Sequence, residues 1–253
     1  MRLYISPCPN DTFMFDAMIN SRIDLEGLKL EVSYYDIEEL NARALLCEAE
    51  FSKISCAILP AISDRYTISD SGAALGRGNG PLLVRRKGDK TALKQIAIPG
   101  EHTTAAALIR RLVPEIEELE PRLFSTIAEA VERGEVDGGV LIHEGRFVYA
   151  ERELELVADL GLLWEERTKL PLPLGAIAMR SDVDPAMQRK FERLLRHSIE
   201  YAFAHPLASR EFILAHAQEL EPQVIEAHIA LFVNEYSLSL GSEGREAIAE
   251  LNR

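Results

Sequence analysis

Short apolar runs alternate with helically spaced apolar patterns along most of this chain, and that alternation points to α/β architecture built on parallel strands. RLYIS (2–6) reads as a strand that stops at SPCPND, where two prolines block continuation and Asn10 or Asp11 can cap a helix over 12–22. LKLEVSYY (28–35) alternates as a strand and IEELNARALL (37–46) follows as a helix. KISCAIL (53–59) is a strand that turns into a short helix before Arg65. PLLVRR (81–86) and KQIAIP (94–99) are two more strands, the second feeding the helix TTAAALIRRL (103–112). TIAEAVERG (126–134) is a helix closed by Gly134, a residue suited to a left-handed C-terminal position. It leads into GGVLIHEGRF (138–147), whose apolar run ends at His143; LELVADL (154–160) and PLGAIAM (173–179) supply further strands. From Asp184-Pro185 onward the pattern is helical, with Met187, Phe191, Leu194, Leu195 and Ile199 at spacings of three and four.

A two-lobed division follows if RRKGDK (85–90) and LPLPLG (170–175) are crossovers: residues 1–86 and 176–253 form a first lobe with the helical tail, and residues 87–175 a second. Two crossings between α/β lobes leave a cleft suited to a small molecule. The chain has 253 residues, 47% of them apolar, enough for one large core or two modest ones. Its 28 basic and 41 acidic side chains give a net charge of −13, which disfavours nucleic acid and anionic membrane as partners. No run approaches the roughly 20 apolar residues of a membrane span, and MRLYISPCPND has no stretch of signal-peptide type. Cys8, Cys47 and Cys56 form no CxxC and leave one unpaired, so a reducing, cytoplasmic setting is expected. Oligomeric state is not legible.

Most motifs with a chemical meaning fail on inspection. LGRGNGPLLV (75–84) is glycine-rich, but a β run follows instead of a helix, and no Gly-Lys-Ser/Thr accompanies it. His143-Glu144 would begin HExxH only if residue 147 were histidine, and it is Phe147, so no metal is expected. His197, His205, His216 and His228 read as structural or solvated residues of the tail. Cys8 is open to two readings, a nucleophile paired with His143 or a small apolar residue in a proline-rich turn. One constellation remains: Asn10, Ser55, Thr103, Thr104 and His143 all stand at or near strand ends, where open parallel sheets bind ligands. The helix opened by Thr103-Thr104 offers hydroxyls, free N–H groups and a positive dipole end, a setting for a carboxylate.

SPCPNDTFMF (6–15), SGAALGRGNGPLLV (71–84), PGEHTTAAAL (99–108), GVLIHEGRF (139–147) and LPLPLGAI (170–177) together resemble the 1,4-dihydroxy-6-naphthoate synthase family, in order and over nearly the whole chain. The resemblance implies a fold like the type II periplasmic binding proteins: two α/β lobes, a ligand cleft between them and a helical C-terminal region. It implies a lyase of the futalosine route to menaquinone that cleaves cyclic dehypoxanthine futalosine to 1,4-dihydroxy-6-naphthoate without a cofactor. His143 corresponds to the general base, Lys53, Ile54 and Ser55 to one substrate-binding segment and Thr103 with Thr104 to another, with Asn41 along the same cleft. Gly145 departs from the family pattern, which has serine after the His-Glu pair. The implied partner is a small molecule carrying a carboxylate. Two alternatives stand beside this one: chorismate dehydratase of the same pathway, and a non-catalytic solute-binding protein of the same shape.

Overall fold

The proline-rich turn does more than end the first strand. In the computed structural model, which describes residues 1–143, 145–217 and 221–253, β1 (Arg2–Ile5) gives way to a helix over Pro9–Ile19 with Cys8 at its N-cap. Pro9 occupies the first turn, where its missing N–H and fixed φ are an asset, so the helix starts earlier than a cap at Asn10 or Asp11 would allow.

The first sheet holds β1, β2 (Glu31–Tyr34), β3 (Phe51–Ser55), β4 (Tyr66–Ile68), β5 (Ala74–Gly76) and β11 (Leu172–Arg180). Its order is β2-β1-β3-β11-β4, with β5 also on β11. The second runs β10-β6-β9-β7-β8, from β6 (Leu82–Arg86), β7 (Gln95–Ile98), β8 (Glu118–Pro121), β9 (Gly138–Leu141) and β10 (Leu154–Asp159). Parallel pairing holds for β2-β1-β3 and for β9-β7-β8. The other neighbours, β11 with β3, β4 and β5, and β6 with β9 and β10, are antiparallel. The sheets are therefore mixed.

Sheet membership also moves the crossovers. Residues 82–86 belong to the second sheet and residues 172–175 to the first, so the chain changes lobes at 77–81 and at 169–171. The charged stretch 85–90 is instead the end of β6 and the exposed turn that follows it, with Gly88 at φ +76°. Its charges mark solvation. The glycines at 78 and 80 make the first crossing, and a helix over Leu160–Thr168, capped by Asp159, precedes the second.

Helix Pro185–Ala204 packs against helix Pro9–Ile19. Ser198 Oγ accepts from the Met18 amide at 3.2 Å and donates to the Met14 carbonyl at 2.7 Å. Phe191 stacks on Phe51 of β3 with ring centroids 3.7 Å apart. A second apolar core crosses the lobe boundary: Ile54, Leu75 and Ala176 of the first lobe join Ile98, Ala105 and Leu108 of the second. Among the described residues no helix is long and apolar enough to cross a membrane.

Candidate functional site

The strand ends of both lobes meet at one cavity, about 620 Å³ counted to its open mouth. Ser55, the last residue of β3, lies on its wall, as do Thr103, Thr104, Asn10 and His143. An outer chamber of about 730 Å³ adjoins it, with Cys8, Tyr35 and Asp36 on its sides, and His143 and Ile37 line both spaces.

His143 follows β9 by two residues and is half-buried at φ +51°, an uncommon backbone region for a residue with a Cβ. The Phe124 ring meets the imidazole edge-on at 5.1 Å, and His228 lies nearly parallel to it at 6.0 Å, the planes 9° apart. Cys8 Sγ is 4.0 Å from His143 Nε2. Glu144 lies outside the described residues. A Cβ at Gly145 would make an ordinary contact of 3.5 Å with Leu141, so a side chain as small as serine's has room to start there.

The threonine hydroxyls are committed to the protein itself. Thr103 Oγ1 accepts from the Ala106 amide at 3.2 Å and donates to the Gly100 carbonyl at 2.9 Å, capping helix Thr104–Leu112. Thr104 Oγ1 donates to the Leu174 carbonyl of β11 at 2.8 Å, tying the two lobes together. What remains toward the cavity is the start of the helix, whose first-turn amides at Thr104 and Ala105 have no intrahelical acceptor.

Asn41 is buried and reaches both lobes. Its Oδ1 accepts from the Ser55 amide at 2.8 Å, and its Nδ2 donates to Ser55 Oγ at 2.9 Å and to the His102 carbonyl at 3.2 Å. With Ser55 Oγ accepting from Asn41, the Ser55 hydrogen is left to point to the cavity. Beside this clasp, Glu38 accepts from His102 through the backbone amide and contacts Nδ1 at 2.6 Å.

Lys53 and Ile54 stand elsewhere. Ile54 lies in the core that crosses the lobe boundary. Lys53 is 5% exposed and its Nζ meets Asp11 Oδ1 at 2.9 Å, with Asp11 fully buried. Asp11 also accepts from the Ser6 amide at 3.1 Å and from Asn10 Nδ2 at 2.9 Å. Asn10 Oδ1 in turn meets His228 Nε2 at 3.0 Å. The lysine is therefore linked to the cavity wall through Asp11 and Asn10.

Sequence reasoning missed two wall residues. Arg146 lines the cavity, donating to the Gly80 carbonyl and, at 3.3 Å, to Asp159. His228 sits on helix Pro222–Phe232, sharing its buried face with Ile225 and Phe232 at spacings of three and four, which was the available signal. Burial, followed by the charges on His143 and Lys53, holds its pKa well below the ordinary histidine value. Cys56 takes no part: burial pushes its thiol up to about 12. Among the described residues no group of three or more His, Cys, Asp and Glu could hold a metal ion.

The glycine-rich crossing has a packing role here. A Cβ on Gly80 would fall 2.2 Å from the Gly161 amide nitrogen, a backbone atom with nowhere to go. Gly80→Ala is expected to lower stability by about 1–3 kcal/mol, the usual range for overpacking. It should also raise KM, since the Gly80 carbonyl holds Arg146. Urea denaturation and steady-state kinetics check both effects.

Two sheets joined by two crossings, a helical tail and a cleft between the lobes define a periplasmic-binding-protein-like fold. A Candida albicans protein described as having the generic periplasmic binding protein fold superposes with a TM-score of 0.68 at 12% identity, covering 99% of this chain and 89% of that one. The chain belongs to the menaquinone-biosynthesis family, whose sequence pattern matches residues 1–253, and within it to the 1,4-dihydroxy-6-naphthoate synthase family. The protein of that name from Thermus thermophilus is 44% identical over 253 residues, covering 99% of this chain and 92% of the relative. The one from Streptomyces coelicolor is 38% identical, covering 99% and 91%. The crystal structure of an Archaeoglobus fulgidus protein, 36% identical, superposes with a TM-score of 0.93 over 99% of this chain and 94% of that one.

Proposed function

We propose that this protein is a cytoplasmic lyase that converts cyclic dehypoxanthine futalosine to 1,4-dihydroxy-6-naphthoate in menaquinone biosynthesis, with His143 as general base and no cofactor. The observation that carries the reading is the placement of an imidazole, a serine hydroxyl and a helix N-terminus on one cavity, in a chain whose relatives bear that enzyme's name. His143 takes the proton from the carbon next to the substrate's ketone, leaving an enolate. The enolate expels the sugar-derived fragment by carbon–carbon cleavage, the departing fragment takes a proton back, and the ring becomes aromatic. Aromatisation drives the reaction forward. Incubating the purified protein with cyclic dehypoxanthine futalosine should yield the naphthoate. Turnover of chorismate instead, or binding without turnover, would overturn the reading in favour of a dehydratase or a solute-binding protein.

The substrate carboxylate rests on the Thr104 and Ala105 amides, with the Ser55 hydroxyl donating to it. With a net charge of −13 the protein gains nothing from long-range steering, so local donors must hold the anion. A hydrogen bond to a charged group contributes about 1.5–3 kcal/mol, so Ser55→Ala should weaken binding by about 10-fold or more. Thr103→Val should behave differently. It removes a helix cap worth about 1 kcal/mol of stability and leaves affinity within a few-fold, because its hydroxyl is already engaged. Equal losses of affinity in the two variants, by titration calorimetry, would contradict this placement.

A further inference from the structure

His143 and Ile37 line two spaces, and the mechanism above uses only the inner one. The outer chamber has one wall from each lobe: Tyr34 and Tyr35 at the end of β2, Leu123 and Phe124 just past β8. Both strands run parallel to their neighbours, so these are carboxyl ends, where open sheets hold ligands. The two spaces differ in charge. Arg146 and the N-terminus of helix Thr104–Leu112 line the inner cavity. Asp36 and Glu39 line the outer one, with no lysine or arginine among the described residues there.

Two polar groups of the outer chamber are held in place and still open. Asp36 caps helix Ile37–Leu45 through Oδ1 alone, which accepts from the Glu38 and Glu39 amides at 2.9 and 3.0 Å. The Tyr35 ring is fixed by Arg43, whose guanidinium stands 3.9 Å from its centroid, and by the edge-on ring of Tyr4 at 5.1 Å. Among the described residues neither Asp36 Oδ2 nor the Tyr35 hydroxyl has a hydrogen-bond partner, and neither atom is sealed from solvent. The residues that carry them line the chamber. Glu39 differs, because it is paired with Arg43 at 2.6 Å.

We propose that the outer chamber is the subsite for the polyhydroxylated, sugar-derived part of the substrate, with Asp36 and Tyr35 as its hydroxyl-binding residues. The identity of the ligand rests on the proposed function, and the sorting of its two ends rests on the charges of the two spaces. A carboxylate is repelled by Asp36 and drawn to Arg146 and the helix N-terminus, so the acidic ring system enters the inner cavity. Hydroxyls left in the outer chamber meet groups that suit them. A carboxylate accepts O–H in a charge-assisted bond, and a phenol both donates and accepts. This orientation lays the bond between ring and fragment beside His143, which lines both spaces. That is where the cleavage needs its base.

His143→Ala should hold the intact substrate without turning it over, so calorimetric titrations in that background can compare two ligands. Cyclic dehypoxanthine futalosine has both ends, and 1,4-dihydroxy-6-naphthoate has only the ring and carboxylate. Asp36→Ser keeps a good helix cap and removes the second oxygen. Tyr35→Phe keeps the ring and its two contacts. Asp36→Ser should weaken substrate binding by about 10-fold or more and Tyr35→Phe by about 5-fold, with the naphthoate within about two-fold in both. Equal losses for the two ligands would make these residues structural, and unchanged substrate affinity would leave the chamber without its ligand. Either result overturns the proposal. If wild-type protein turns the substrate over while the variants bind it normally, only the subsite falls. If neither ligand binds to wild-type protein, the ligand reading and the subsite fall together.

Discussion

His143→Ala is expected to lower kcat by about 10²–10⁴-fold, the contribution of a positioned general base, with KM changed little. The fold should survive. His143 is half-buried at a turn, and its positive φ is uncommon for any residue with a Cβ, so the substitution adds little backbone strain. The neighbouring rings, Phe124 and His228, stand on other elements and keep their own supports. Circular dichroism and the affinity for 1,4-dihydroxy-6-naphthoate should therefore match wild type while turnover is lost. Near-normal kcat would remove His143 from the chemistry. Parallel loss of kcat and affinity would make it a binding residue instead.

His143 was legible because an apolar run stops at it: the strand ends where the lobe ends, and in this fold lobe ends face the cleft. Ser55 and the Thr103-Thr104 pair were legible for the same reason. What those groups do was not. A sequence shows a cap-forming threonine but not whether its hydroxyl faces a ligand, and here Gly100, Ala106 and Leu174 take both hydroxyls. His228 was read as structural because its partner, Asn10, is 218 positions away along the chain. Strands were clear where one face is apolar, as in β6 and β7. β8, with the sequence ELEP, carries its acidic residues at the edge of the second sheet and gave no such signal. The crossover at 77–81 was hidden by the more conspicuous charges at 85–90, which mark only a wet turn.

The buried pair beneath the cavity sets the largest expected effect on stability. Lys53 and Asp11 are 5% and 0% exposed, and no water reaches the carboxylate to replace the ammonium. Lys53→Met keeps most of the side-chain volume beside Gly175, where an added Cβ would fall 3.0 Å from Lys53 Cε. It leaves a buried negative charge with the Ser6 amide and the Asn10 NH2 as its partners among the described residues. Removing one member of such a pair costs about 3–5 kcal/mol. For a chain of this size that is a fall in Tm on the order of 10 °C. Adding Asp11→Leu in the same chain should restore much of the stability, since an apolar pair of similar volume avoids both desolvation penalties. Thermal melts of the two single variants and the double variant close a mutant cycle. A Lys53→Met protein that melts like wild type but binds ligand poorly would instead place the ammonium on the substrate directly.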